Sequence, residues 1–555
     1  MPKTTFEPQD VHTSPIDSDR IAMPDLSGMA NGDLHLITLG ACGEIFGPNA
    51  NLIIAGQNRI LIDAGCVESS GRFMTDQMGR PIKNAAPDIR YFTGQNAPTA
   101  IVLTHGHRDH YAFIPQIANL LPDGLPIYGS PYALAMLAKE LGEARRSRFR
   151  LISITPNAEL LFDKNGNGSK PLRFMPIAVA HTTPQTLAFG ISFGDNAILY
   201  TTDTKYLDDK AKLGGPITGD TDIAAMTDWV TRHQPALITM DVTNANTPGS
   251  VNSYESYRDS LRGIIRNTTG NVFVGNFARS PDAMVAAIEL GQMYDRQVVY
   301  AGRAMGHALH VARELQLPGA EILNEMPHVG QVSLHSRQRL LAVVSGVGFE
   351  PGAFLSRLAE ANLNPDANAK KLFGLQPCRG DSVALFGRIF DQARYAEKVA
   401  QLRGTGAATF EVQHARISGH MQQDNIIAAL RYMHGISPQS QFMRIHGAEE
   451  QMAAFKNVAK SVRMGGRVIT HGNGSWVRIA DNRVAEQTKL PHCHYTWCWG
   501  RWHRLDVDRV PMYSAALLER NGGMTMTKID GLQTWANPDF TAKYTHRSRI
   551  RIRTA

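Results

Sequence analysis

Within TAIVLTHGHRDHYAFIPQI, residues 99–117, three histidines and an aspartate fall in the six positions from 105 to 110. His105 and His107 alternate, so in an extended segment both side chains point the same way. Asp109 and His110 follow in the turn beyond. Two neighbouring pairs aimed in different directions suit two cations close together better than one. Imidazole and carboxylate together favour zinc, with manganese as the alternative. The cluster needs completion from elsewhere. His181 in AVAHTTPQT and Asp203 in LYTTDTKY each follow an apolar run. Asp203 has the chemistry to bridge both ions, and Asp63 in RILIDAG to orient a ligand from behind.

Such residues must be carried by rigid elements. From residue 35 to about 205, short β-rich runs end in polar loops: NLIIAG, NRILIDAG, TAIVLTHGH, RFMPIAVAH and NAILYTTD. Each is strand length, and a buried strand fixes its last residues firmly enough for them to converge. From about 235 the runs PALITMD, NVFVGNFA, RQVVYAG, LLAVVSG and DSVALFG alternate with helix-like segments such as SPDAMVAAIELGQMYD. That alternation predicts a parallel α/β unit. After about 405 the first rhythm is expected to return in FEVQHARISGH, QFMRIHG and GRVITHGNG, each run ending in histidine.

The bulk numbers bound these readings. The 555 residues are 43% hydrophobic, enough for two or three domains with a substantial core. No apolar run approaches the ~18–20 residues of a membrane helix, and the polar opening does not read as a secretory leader. Five scattered cysteines, Cys42, Cys66, Cys378, Cys493 and Cys498, argue against a disulfide framework. A cytoplasmic protein without membrane partners is the expectation. Lys and Arg number 57 against 50 acidic residues, a net +7 that permits a polyanionic partner without demanding one. Basic residues concentrate in the terminal KYTHRSRIRIRTA, and HCHYTWCWGRWH offers His492, Cys493, His494 and Cys498 as a zinc site or a base-stacking surface.

HGHRDH followed by IP, with Asp63 before and His181 and Asp203 after, resembles the metallo-β-lactamase superfamily. MDVTNANTPGS, VVSGVGFEPGAFLSRLA, RISGH and RIHGAEE resemble its β-CASP nucleases, specifically the ribonuclease J group, from about residue 37 to 475. The resemblance implies an α/β architecture: an αββα sandwich interrupted by a parallel α/β β-CASP domain. The expected layout is a flexible lead-in (1–34), the sandwich's first part (35–225), the β-CASP domain (226–400), the sandwich's second part (401–481) and a divergent basic tail (482–555). It also implies two Zn²⁺, the first held by His105, His107, His181 and Asp203, the second by Asp109, His110, the shared Asp203 and His446. Asp63 matches the superfamily's first motif, and Asp241 and His420 match β-CASP motifs that help protonate the leaving oxygen. Ser418, Gly419 and His420 fall in the segment that holds a substrate phosphate. The chain departs from the group's pattern in TTPQT after His181 and in Thr202, where glycine is usual; neither removes a ligand.

The implied function is a two-metal ribonuclease, cutting 5′→3′ from an end, internally, or both, on single-stranded RNA in processing or decay. Homodimer formation is a further expectation from the resemblance. The alternative is a β-CASP DNA nuclease, against which His446 speaks, because DNA-acting relatives tend to lack a histidine there. An RNA-binding protein without activity would have lost ligands, and a small-molecule hydrolase would need no inserted α/β unit.

Overall fold

The computed structural model describes residues 24–490 except 41, 44–47, 67–84, 165–169, 334–338, 351, 362, 364–371, 388, 390–391 and 470–471, and five strands between 494 and 553. The expected flexibility of residues 1–23 lies outside the described residues. Within residues 24–33, Leu26 and Met29 are buried and the Asn96 amide donates to the Pro24 carbonyl at 3.0 Å, while the residues around them are mostly exposed.

Two sheets lie face to face. The first has eight strands, in the order Arg483–Lys489, Ser475–Ala480, Leu34–Thr38, Asn51–Ala55, Asn58–Ile62, Ala100–Val102, Leu125–Gly129 and Phe149–Ser153. The second has seven: Val468–Ile469, Gln441–Ile445, Leu237–Asp241, Asn196–Tyr200, Leu187–Phe193, Leu172–Ala178 and Leu160–Phe162. Strand periodicity explains the stacking. Leu34, Leu36, Ile53, Ile60 and Ile62 share one core with Phe174, Phe189 and Ile198 of the other sheet. The alternate residues Ile37, Leu52, Ile54 and Leu61 turn outward into a core that includes helix Pro131–Arg146. Helices Ile223–His233, Gln423–Ile436 and Glu449–Ser461 cover the second sheet, so the layers run helix, sheet, sheet, helix. This is the mixed α/β architecture expected from the sequence.

A third sheet of five parallel strands, in the order Gln297–Ala301, Leu340–Val344, Val272–Gly275, Ser382–Leu385 and Ala408–Glu411, is inserted between the strands of the second. The expected boundaries at 225/226 and 400/401 do not coincide with these sheets. Strand Leu237–Asp241 pairs with Asn196–Tyr200 and Gln441–Ile445 in the sandwich, whereas the run FEV belongs with Ala408–Glu411 in the inserted sheet. Both strands pair in parallel and are preceded by helices, so the same βα rhythm runs unbroken across the real seams. The boundary at 481/482 also moves, because Arg483–Lys489 completes the first sheet by pairing with Ser475–Ala480. Beyond it, strands His494–Cys498, Arg501–Val507, Thr525–Ile529, Leu532–Ala536 and Ile550–Arg553 form an antiparallel sheet with Ala85–Ala86. His492 and Cys493 lie outside the described residues.

Candidate functional site

The residues named from sequence converge at one edge of the sandwich. Asp63 follows strand Asn58–Ile62, His105 and His107 follow Ala100–Val102, and His181 follows Leu172–Ala178. Asp203 follows Asn196–Tyr200, Asp241 closes Leu237–Asp241, and His446 follows Gln441–Ile445. Ser418, Gly419 and His420 arrive from the other direction, on the return from the inserted sheet before helix Gln423–Ile436.

Two donor groups form around Asp203. In the first, His107 Nδ1 lies 3.1 Å from His105 Nε2 and 3.0 Å from His181 Nε2, and both Nε2 atoms lie 3.9 Å from Asp203 Oδ2. In the second, Asp203 Oδ2 is 3.3 Å from His110 Nε2 and 3.6 Å from His446 Nε2, which is itself 3.2 Å from Asp109 Oδ2. Four donors around a tetrahedral ion at zinc–nitrogen distances stand about 3.3–3.4 Å apart. The observed spacings bracket that value, so both groups fit a divalent cation.

The rings of His105, His110, His181 and His446 are each turned by a partner behind them, which leaves the facing nitrogen defined. His181 Nδ1 donates to the Gly419 carbonyl at 2.7 Å, and His110 Nδ1 lies 2.7 Å from Asp63 Oδ2. The Asp63 carboxylate also accepts from the Thr104 backbone N–H and hydroxyl, both at 2.8 Å. Thr104 Oγ1 lies 2.9 Å from His105 Nδ1, and Thr243 Oγ1 contacts His446 Nδ1. Asn49, with its amide 2.9 Å from His110 Nε2, Thr104 and Thr243 were not found from sequence; nothing in their local pattern marks them. Asp63, Thr202 and His446 hold φ of 60°, 52° and 53°, a left-handed backbone that a β-branched threonine adopts at a cost of ~1–3 kcal/mol.

Electrostatics separates the groups. Burial drives His105, His107 (down to about 3) and His181 far toward the neutral form that a metal ligand requires. The second group behaves oppositely. Burial opposes charge there too, but Asp203 raises His446 to about 9, and Asp203, Asp63 and Asp109 raise His110. Asp109 and Asp203 are held low against burial by those same histidines. The metal-free chain therefore carries protons on His110 and His446 at neutral pH, and a cation must displace them. Metal uptake is expected to release about two protons per chain at pH 7 and to tighten as pH rises toward 9. Calorimetric titration in buffers of different ionisation heat measures this. Uptake that is independent of pH between 6 and 8 would show that these histidines are not held protonated.

Beside the second group, His420 Nδ1 lies 2.8 Å from Asp241 Oδ2, and its ring stacks on His446 at 5.1 Å. Asp241 also accepts from the Thr243 N–H and hydroxyl at 3.0 and 2.7 Å, so its carboxylate is fixed. Asn244 Nδ2 donates to Ser418 Oγ and to the His420 carbonyl, both at 3.1 Å, which shapes the 418–420 turn.

Comparison with known proteins fits this geometry. Residues 58–245 match the model of the beta-lactamase superfamily domain. Ribonuclease J of Mycobacterium tuberculosis is 25% identical over 448 residues, 80% of this chain and 74% of the relative. Ribonuclease J of Mycolicibacterium smegmatis is 24% identical over 78% of this chain and 72% of its own length. That of Thermus thermophilus is 25% identical over 83% and 76%. A crystal structure of a protein of unknown function from Enterococcus faecalis V583 aligns with a TM-score of 0.50 at 14% identity, over 80% of this chain and 100% of that one, a likeness of fold alone.

Proposed function

We infer that this chain, a metallo-β-lactamase-type protein that is ribonuclease J-like in sequence, is a metal-dependent ribonuclease hydrolysing RNA phosphodiester bonds. The observation that carries the reading is Asp203, whose one carboxylate faces both donor groups. Two divalent cations bound there, zinc or manganese, would supply the charge that lowers the pKa of an attacking water and offsets a phosphodiester's oxygens. The chain's own groups do the rest. His105, His107, His181 and Asp203 form one ligand set; Asp109, His110, His446 and the same Asp203 form the other. Asp63 orients His110 from behind.

With its Nδ1–H held by Asp241, His420 in its imidazolium form would give the proton on Nε2 to the departing 3′ oxygen and be left as the neutral ring. Ser418 and Gly419, shaped by Asn244, hold the substrate phosphate next to it. The setting we propose is single-stranded RNA in the cytoplasm. Among the described residues no helix is long and apolar enough to cross a membrane. The DNA alternative gains nothing from the comparisons, since the named relatives are ribonucleases.

The test is purified protein with Mn²⁺ or Zn²⁺ and RNA labelled at its 5′ end, as monophosphate and triphosphate, beside matched DNA. Mononucleotides from the monophosphate RNA establish 5′→3′ trimming, and internal fragments from both forms establish endonuclease action. Cleavage of DNA with RNA left intact would overturn the reading.

A further inference from the structure

The inserted sheet brings a cation to the site. Its strand Val272–Gly275 connects onward to Gln297–Ala301 on one side, while its neighbour Ser382–Leu385 connects to Ala408–Glu411 on the other. Where adjacent parallel strands depart in opposite directions, a crevice opens beyond their carboxyl ends, the usual ligand position in such sheets. The turn leaving Val272–Gly275 is pinned there: Asn276 Nδ2 donates to Tyr257 Oη at 2.9 Å, and Asn276 Oδ1 accepts the Phe277 N–H at 2.9 Å. It delivers Arg279 just before helix Pro281–Met293.

Arg279 is 11% exposed and reaches across to the sandwich, where its Nη2 lies 4.0 Å from Glu140 Oε1 on helix Pro131–Arg146. Glu140 also takes Arg108 Nη1, from within HGHRDH, and the Tyr111 hydroxyl at 3.0 Å. One carboxylate thus serves two guanidiniums beside the first donor group, and the Arg279 charge bears on His107 itself. In the same corner Tyr132 packs under Gly106, where an added Cβ would lie 2.9 Å from its ring. Its buried hydroxyl has no hydrogen-bond partner among the described residues, although Arg279 acts on it. Lys139 and Arg303 add positive charge in the same neighbourhood, where with Arg279 they act on His307.

We propose that Arg279 is a substrate-binding residue that holds a backbone phosphate of the strand beside the scissile one, exchanging Glu140 for it. The proposal rests on the ribonuclease reading and goes beyond it, in giving the inserted sheet a direct hand on the substrate. A planar guanidinium suits the task, since it meets a phosphate with two parallel hydrogen bonds and Glu140 already holds its place.

Steady-state cleavage of a short single-stranded RNA across a range of KCl concentrations tests it, with Arg279→Gln, Arg279→Lys and Glu140→Gln beside the parent chain. Arg279→Gln is expected to raise KM about tenfold with kcat within about threefold. It should also flatten the slope of log KM against log salt by about 0.7, the loss of one single-strand phosphate contact. Arg279→Lys should restore the slope and part of the KM, and Glu140→Gln should leave KM unchanged or lower. If Arg279→Gln and Glu140→Gln raise KM equally at an unchanged salt slope, the pair only ties the lobes and the proposal falls. A fall in kcat alone would likewise overturn it. A parent chain that leaves RNA uncut fails the ribonuclease reading itself, a result separable from any of these.

Discussion

Replacing Asp203 with alanine is expected to lower RNA hydrolysis at least about a thousandfold while the chain still folds. Asp203 Oδ2 lies between 3.3 and 3.9 Å from His105, His110, His181 and His446, so both donor groups lose a member at once. The same carboxylate holds His110 and His446 cationic; without it those histidines repel a metal less by charge but no longer share an anion with it. Metal analysis of the purified variant should find the first group weakened and the second emptied. A variant that keeps more than about a tenth of the parent rate would show that no shared ligand is needed, and the two-group reading would be lost.

The second large effect comes from a residue with no side chain. A Cβ on Gly419 would lie 2.3 Å from His181 Cε1 and 2.4 Å from Nδ1, inside any real contact distance. The His181 ring has no room to retreat, with the rings of His105, His107 and His420 at 4.7, 4.8 and 5.2 Å. Gly419→Ala must therefore move the ring or the turn by about 1 Å, a displacement large enough to cost on the order of a hundredfold in rate. It also strains the bond from His181 Nδ1 to the Gly419 carbonyl, and loss of such a supporting partner weakens metal binding about 10–100-fold. Thermal melting should change little, because the sandwich core is untouched. Unaltered metal affinity and rate would mean that the 418–420 turn does not hold His181.

This dual use of Gly419 marks where the sequence stops being readable. Ligand-type residues were legible because strand ends are short in sequence and rigid in space: His105, His107, Asp109 and His110 stand together in HGHRDH, and Asp63, His181 and Asp203 each close an apolar run. Asp241, His420 and His446 also stand at the ends of quoted runs, PALITMD, FEVQHARISGH and QFMRIHG, but their roles were assigned through the family resemblance. Beyond Asp63, the supporting groups were not legible. Thr104 bonds both Asp63 and His105, Thr243 both Asp241 and His446, and Asn49 lies against Asp109 and His110 Nε2, yet a lone threonine or asparagine next to a strand reads as a turn residue. Arg279 escaped for a different reason. Its partner Glu140 is 139 positions away along the chain, on a helix whose pattern announces only an amphipathic face. The seams of the inserted sheet were misplaced because Leu237–Asp241 and Ala408–Glu411 both read as parallel strands next to helices, and only their pairing assigns them to different sheets.

The central claim is that one edge of the sandwich holds two cations on either side of Asp203. A crystal of the full chain soaked in zinc, with anomalous differences collected at the zinc edge, tests it most directly. The expected result is two peaks about 3.5–4 Å apart, one among His105, His107 and His181 and one among Asp109, His110 and His446, both in contact with Asp203. A single peak at full occupancy, or zinc bound away from these residues, would contradict the account.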